Sequence, residues 1–459
     1  MIYLDNGATT FPKPECVYEA TDRFAREAAV NAGRGAYRAA RAATDMIKEV
    51  KTELLSLCDA RGQAEVALTP SVTIALNQII QGQRWKEGMT AYITPYEHNA
   101  VLRPLKLMEQ KHHIRVEELP LKEDMSIDLD GVREAFAACP PDFVAVTAIS
   151  NVTGYVLPAA EVFAEAKQYG AFTVLDAAQA MGLLRMRFAQ LKADCIAFAG
   201  HKTLYAPFGV AGFLVKNGVD LDVVLAGGNG IRSEDPNMPK FMPEKMECAS
   251  MDSVAICGLH TSLDWLKGVD PWKIEAELTE YLLARLPEVK DLTIYKAPPG
   301  AQQAGVVSVN LEGFRANEVA AILDAKNDIA VRAGHHCAGL IHNHLNNKKY
   351  DGTIRISLGV FNTKEDIDAL IDALKGIDRD ALKGLYHRIF YRDHCIAGFA
   401  VIAVFHTLTI RLESFGKNIC NGISVHPETH GLFLGNKWEI PTDQFCIRIS
   451  RKKTALFAP

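Results

Sequence analysis

The sequence predicts an α/β fold, with a large doubly wound domain whose mostly parallel sheet is covered by helices, followed by a smaller α+β domain. Two observations carry this reading. Between Glu65 and Val215, short apolar β-branched runs alternate with stretches whose apolar residues recur every three or four positions, as strands joined by crossover helices do. Past Ser253 the helical stretches lengthen, which marks a second unit. The strands expected in the first region are Val66–Thr69, Ala91–Thr94, Phe143–Ile149, Thr173–Leu175, Cys195–Phe198 and Val210–Val215. Between them, Thr73–Ile80, Val101–Gln110, Val132–Ala138 and Ala159–Tyr169 have the spacing of crossover helices. In the second region the expected helices are Val254–Leu266 and Trp272–Leu286, and the strands are Gly305–Leu311, Ile329–Arg332 and Thr353–Leu358. Thr363 and Asp366 are spaced as a capping box that opens a helix over Lys364–Leu374.

A chain of 459 residues, 48% hydrophobic and 23% charged, has the composition of a soluble globular enzyme of two or three domains. A formal net charge of -5 with no long Lys/Arg run argues against nucleic acid or an anionic membrane as partner, and a small-molecule substrate fits better. The ten cysteines are scattered, with no CxxC pair, as in a reduced cytoplasmic chain. The opening Met1–Asn6 lacks the basic region and apolar run of a signal peptide, so secretion is not expected. From about Gly384 onward the chain is rich in His, Cys and aromatics with little periodicity. Its apolar run Ile396–Thr407 is shorter than the ~20 residues of a membrane span and reads as a buried helix or strand.

The segment Ala199-Gly200-His201-Lys202 follows an expected buried strand. A lysine there must reach solvent or have its charge handled, because an unpaired buried ammonium is costly. A covalent link to the aldehyde of pyridoxal phosphate (PLP) handles it chemically. Asp176, just past the strand Thr173–Leu175, is the residue type that keeps a pyridine nitrogen protonated, so that the ring serves as an electron sink. Gln179, three residues on, is placed to hydrogen-bond the cofactor's phenolic oxygen.

Further motifs occur in a fixed order: Tyr3-Leu4-Asp5-Asn6-Gly7-Ala8-Thr9-Thr10, Thr69-Pro70-Ser71-Val72-Thr73, Glu97-His98-Asn99, Ser150-Asn151-Val152-Thr153-Gly154, Arg332-Ala333-Gly334-His335-His336-Cys337-Ala338 and Ile354-Arg355-Ile356-Ser357. Together with the lysine and aspartate segments they resemble the cysteine desulfurases and selenocysteine lyases, class V aminotransferases of the fold type I PLP enzymes, over about residues 2–374. The resemblance implies that Lys202 carries the cofactor, with Asp176 on its pyridine nitrogen, Gln179 on its phenolic oxygen and the His98 ring stacked on its face. Thr73, at a helix N-terminus suited to an anion, and His201 would serve the cofactor site. Arg355, Asn151 and Arg332 would hold the substrate, Arg355 clamping its α-carboxylate. Cys337, among polar and Gly-containing neighbours, would be the reactive thiolate that accepts sulfur.

The implied activity is PLP-dependent conversion of L-cysteine to L-alanine, with sulfur passing to an enzyme persulfide and then to an acceptor protein or thiol. The alternatives are another reaction of the class (selenocysteine lyase, cysteine sulfinate desulfinase, aminotransferase) or a non-catalytic partner-binding relative. The family also implies a homodimer in which Ser250 reaches the phosphate of the other subunit's cofactor. On this reading residues 1–20 line the active site, 21–265 form the large domain, 266–380 the small domain with the catalytic cysteine, and 381–459 are unassigned. The chain departs from the family pattern at Val72 and Ala199, where hydroxyl residues are usual, and at Asp252, where an amide is usual. Weaker phosphate binding, or a substrate other than cysteine, is the expected consequence.

Overall fold

The computed structural model describes residues 1–378, apart from positions 34, 232 and 233, and the main chain of three strands nearer the C-terminus. Contacts divide the chain into two compact units, Met1–Leu382 and Lys383–Pro459.

The first unit opens with β1 (Ile2–Tyr3), α1 (Glu15–Glu27) and α2 (Arg38–Leu57). There follow β2 (Ala64–Thr69), α3 (Val72–Gln81), β3 (Thr90–Ile93), α4 (Asn99–His112), β4 (Arg115–Glu118), α5 (Leu129–Ala138), β5 (Phe143–Thr147), α6 (Ala159–Lys167), β6 (Phe172–Asp176), α7 (Phe188–Leu191), β7 (Cys195–Ala199) and β8 (Ala211–Lys216). Strands β2 to β8 make a seven-stranded sheet in the order β2-β8-β7-β6-β5-β3-β4. Its strands are parallel except β8, which runs against both its neighbours. Strands β5 and β7 are buried at every residue. Their side chains alternate between two apolar clusters, Val144, Val146, Ile196 and Phe198 in one and Phe143, Ala145, Cys195 and Ala197 in the other. A sheet covered on both faces requires such continuous apolar runs.

The second half of this unit contains α8 (Ser253–Leu266), α9 (Pro271–Arg285), β9 (Leu292–Tyr295), β10 (Val306–Leu311), α10 (Ala316–Asn327), β11 (Ile329–Ala330), β12 (Arg332–Gly334), α11 (Ile341–His344), β13 (Thr353–Ser357) and α12 (Lys364–Lys375). Its antiparallel sheet has the order β12-β13-β10-β9. One cluster joins Val307, Val309, Ile354 and Ile356 of this sheet to Leu278, Leu282, Leu370 and Leu374 of α9 and α12. The N-terminus belongs to this half of the unit: β1 pairs with β11 in parallel, and Ser357 N donates to Leu4 O at 2.8 Å. In the second unit, β14 (Ile423–His426), β15 (Lys437–Pro441) and β16 (Cys446–Ser450) form an antiparallel sheet in the order β14-β16-β15. The run Ile396–Thr407 lies outside the described residues.

The α/β class and the six strands expected in the large sheet are present, as is the Thr363/Asp366 capping box. The differences have local causes. Ile329–Arg332 is two short strands serving different partners, β11 for β1 and β12 for β13. The additional edge strand β4 has the sequence RVEE and no buried residue, so no apolar run marks it, and charge on an edge discourages unwanted pairing. Helix α2 buries Ala40, Ala43, Val50 and Leu54, a stripe too rich in alanine to stand out from the sequence. Among the described residues, no helix is long and apolar enough to cross a membrane.

Candidate active site

In a doubly wound sheet, ligands bind beyond the carboxyl ends of the strands. Asp176 is the last residue of β6, and Lys202 stands three residues past the end of the neighbouring strand β7. The turn between β7 and Lys202 needs Gly200, where a Cβ would lie 2.5 Å from Val210 O. Ala206 N donates to Gly200 O and Tyr205 N to Lys202 O, closing the loop around the lysine.

Burial pushes the Lys202 amine down to about 8, against the attraction of Asp176; Arg355 and Arg332 repel the ammonium and Cys337 attracts it. One amine thus senses groups from both sheets. Asp176 is buried, its Oδ1 accepts from Ala178 N at 2.9 Å, and burial raises its carboxyl above the ordinary value while Lys202 lowers it. Gln179 donates through Nε2 to Gly7 O at 2.8 Å, tying the N-terminal segment to the site.

His98 is the N-cap of α4, with Nδ1 accepting from Ala100 N at 3.0 Å. That contact leaves the hydrogen of the neutral ring on Nε2. Burial, then Lys202, Arg332 and Arg355, holds the imidazole down to about 4, so it is neutral at ordinary pH. The capping role and proximity to the lysine coexist in one side chain.

Cys337 is an exposed free thiol on the loop after β12. This loop is held from the large sheet: Asn99 N donates to Cys337 O at 2.6 Å, and Asn151 Nδ2 to His336 O at 2.7 Å. Gly334, His336 and Cys337 all have positive φ, +107°, +50° and +58°. Non-glycine residues occupy that region at a cost, so the surrounding bonds must hold the loop there. His336 Nε2 lies 2.9 Å from Thr353 Oγ1, and burial, then Arg355, pushes its imidazole down to about 2. The His335 and His342 rings meet edge to face at 4.8 Å. His336 therefore anchors the loop and His335 contacts a neighbouring ring.

Arg355, in the middle of β13, is 2% exposed and stands opposite Arg332 in the β12–β13 register. Its Nη2 pairs with Asp5 Oδ1 at 2.6 Å, its Nη1 donates to Asn151 O at 3.2 Å, and its buried Nε has no partner. The arginine expected to clamp a substrate carboxylate already holds one from the chain itself.

Thr73 is exposed in the first turn of α3, whose N-cap Ser71 accepts from Ile74 N at 3.3 Å. The His201 ring stacks on Phe208 at 4.4 Å, and its buried Nδ1 has no partner. Ser250 is exposed and accepts from Asn31 Nδ2 at 3.3 Å. Asp252, the departure that adds charge, caps α8 by accepting from Val254 N and Ala255 N. Its carboxylate therefore has a helix N-terminus as partner, which accounts for an acid where an amide is usual.

Three residues did not announce themselves in the sequence. Glu97 is fully buried beneath the site, its Oε1 accepting from Thr94 Oγ1 at 2.8 Å and Thr147 N at 2.6 Å. Lys13 donates to Thr10 Oγ1 and His201 O, both at 2.7 Å, clipping the N-terminal segment to the residue before Lys202. Asp5 is the third. Glu97 and Asp5 each lie within one of the ordered motifs, yet only tertiary contact reveals what each does.

The family model for class-V aminotransferases matches residues 2–370. A probable cysteine desulfurase of Halalkalibacterium halodurans is 31% identical over 386 residues, covering 82% of this chain and 92% of that protein. A cysteine desulfurase of Pectobacterium atrosepticum is 30% identical, covering 83% and 93%. Among solved structures, the apo cysteine desulfurase of Thermococcus onnurineus superimposes with a TM-score of 0.74 at 28% identity, covering 83% of this chain and 94% of that one. A fold so shared, and a family model spanning both halves of the first unit, lead to one assignment: the chain belongs to the class-V aminotransferase family, alongside proteins named cysteine desulfurase.

Proposed function

We propose that this chain is a PLP-dependent cysteine desulfurase, converting L-cysteine to L-alanine and handing the sulfur to Cys337. The observation that carries the reading is that Asp176 and Lys202 lie at and just past the ends of the paired strands β6 and β7, while Asn151 bonds both Arg355 and the loop that bears Cys337. The residues fit the cofactor. Asp176 is a buried carboxylate suited to a pyridinium, Lys202 an amine already half unprotonated near pH 8, and His201 Nδ1 a buried polar atom without a partner. Thr73 and, from a second copy of the chain, Ser250 would add hydroxyls for the phosphate. When bound, PLP supplies an electron sink for charge developing on the substrate carbons.

The chain's own residues do the rest. Arg355 holds the α-carboxylate, with Arg332 beside it, and Asn151 fixes both Arg355 and the cysteine loop. Lys202 takes and returns a proton at the substrate Cα, for which an amine titrating near 8 is well matched. Neutral His98, with its proton on Nε2, would face the bound cofactor ring. The Cys337 thiolate attacks the substrate sulfur: an S–S bond forms, the Cβ–S bond breaks and leaves its electron pair on carbon, and protonation there gives alanine. The persulfide on Cys337 then passes its sulfur to an acceptor protein or small thiol. A homodimer acting in the cytoplasm completes the reading, in which the exposed Ser250 would serve the other subunit's phosphate site.

The test is release of alanine and sulfide from L-cysteine by the purified protein with PLP and a thiol reductant. Wild type is expected to form both products equally, and Lys202→Ala and Cys337→Ala are each expected to abolish them. Loss with Lys202→Ala alone would reassign the chemistry to a lyase or transaminase, and failure of wild type to bind PLP would support a partner-binding relative.

A further inference from the structure

A guanidinium takes a carboxylate through two parallel N–H bonds, either end-on through Nη1 and Nη2 or side-on through Nε and Nη2. In Arg355 both routes are engaged. Nη2, common to both routes, is held by Asp5 Oδ1, Nη1 by Asn151 O, and the buried Nε has no partner. Asp5 is itself built in. The parallel bridge Asp5–Ser357, with Asn6 N donating to Ser357 O at 3.3 Å and Gly7 N to Ser357 Oγ at 2.8 Å, lays the N-terminal segment along β13. Gly7 presses on the guanidinium so closely that a Cβ there would stand 3.1 Å from Arg355 Cζ. The Asp5 carboxylate, 21% exposed, is the accessible side of this pair.

We propose that Asp5 is an internal stand-in for the substrate carboxylate: it neutralises Arg355 and must leave Nη2 for an amino acid to bind. Arg332, exposed and directly across the strand pair, is the second cation that the released carboxylate turns to. Two carboxylates on one guanidinium repel each other, so the exchange is competitive. Asp5 acts through Arg355, which makes it a positioning residue. It sets substrate affinity and favours ligands whose carboxylate outcompetes its own.

This rests on the assignment of Arg355 to the substrate carboxylate, so the probe is chosen to be independent of sulfur chemistry. Propionate, which has a carboxylate but neither amine nor sulfur, is titrated calorimetrically into PLP-loaded wild type, Asp5→Asn, Asp5→Ser and Asp5→Asn/Arg355→Ala. Removing the competitor is expected to tighten propionate binding about tenfold, equivalent to ~1.4 kcal/mol, in both single variants. The double variant loses the gain. In parallel, KM for L-cysteine falls in the single variants while kcat does not rise. Propionate binding at wild-type affinity or weaker in either folded single variant would overturn the proposal, because a purely orienting Asp5 would weaken the site when removed. Single variants that tighten on propionate as predicted but leave KM for L-cysteine unchanged would instead overturn the desulfurase reading and keep the role of Asp5.

Discussion

Replacing Glu97 by glutamine is expected to stabilise the protein at alkaline pH while changing little in acid. The residue is fully buried, and its carboxyl is pushed up to about 8 from an ordinary 4.5, first by burial and then by the neighbouring charge of Asp176. Between those values the folded chain holds a proton that the unfolded chain has released, so stability falls as pH rises across the window. The gap of 8 − 4.5 = 3.5 units corresponds to a penalty on the order of 5 kcal/mol above pH 8, and 7 − 4.5 = 2.5 units to about 3 kcal/mol at pH 7. Glutamine keeps Oε1 to accept from Thr94 Oγ1 and Thr147 N and cannot ionise. Against this, its amide nitrogen enters the buried position of Oε2, which has no partner, at a cost of about 1–3 kcal/mol. The net expectation is a gain of about 2–4 kcal/mol at pH 9, shrinking to nothing or a small loss at pH 5. Urea unfolding of cofactor-free wild type and variant at pH 5, 7 and 9 measures it through the transition midpoints. A difference between the two proteins that does not change with pH would show that Glu97 is ionised in the fold, and would refute the reasoning.

Other consequences follow from single contacts. Asp176→Asn removes the charge that holds the Lys202 amine up, so Lys202 is expected to titrate below its value of about 8 and PLP to be lost on dialysis; NMR titration of the labelled amine and the residual cofactor absorbance read both effects. His98→Ala deletes the acceptor for Ala100 N and is expected to cost about 1 kcal/mol in unfolding free energy, with a shifted cofactor absorption band. A variant with wild-type stability would mean that the cap contributes nothing. Asn151→Ala leaves the His336 carbonyl without its side-chain donor, so kcat for L-cysteine is expected to fall at least tenfold while PLP binding persists, and unchanged turnover would argue that the cysteine loop needs no such tether.

The large sheet was legible because β5 and β7 bury both faces and so read as unbroken apolar runs, while Lys202 and Asp176 stand where those runs stop. β4 and α2 were not, since a charged edge strand and an alanine-rich stripe carry little hydrophobic contrast. Of the site residues, Lys202, Asp176 and Cys337 stood out by local motif, but their meeting depends on the β12–β13 hairpin being tethered to Asn99 and Asn151. The Asp5–Arg355 pair joins residues 350 positions apart, and no local pattern signals it. Asp252 shows the converse: it departs from the family pattern, and the capping contacts of α8 account for the departure.

The most direct test of the account is mass spectrometry of the peptide containing Cys337 after the PLP-loaded enzyme meets L-cysteine without a reductant. One added sulfur on Cys337, present in wild type and absent in Lys202→Ala, is the predicted result; alanine formed with Cys337 unmodified, or sulfur carried by another cysteine, would contradict it.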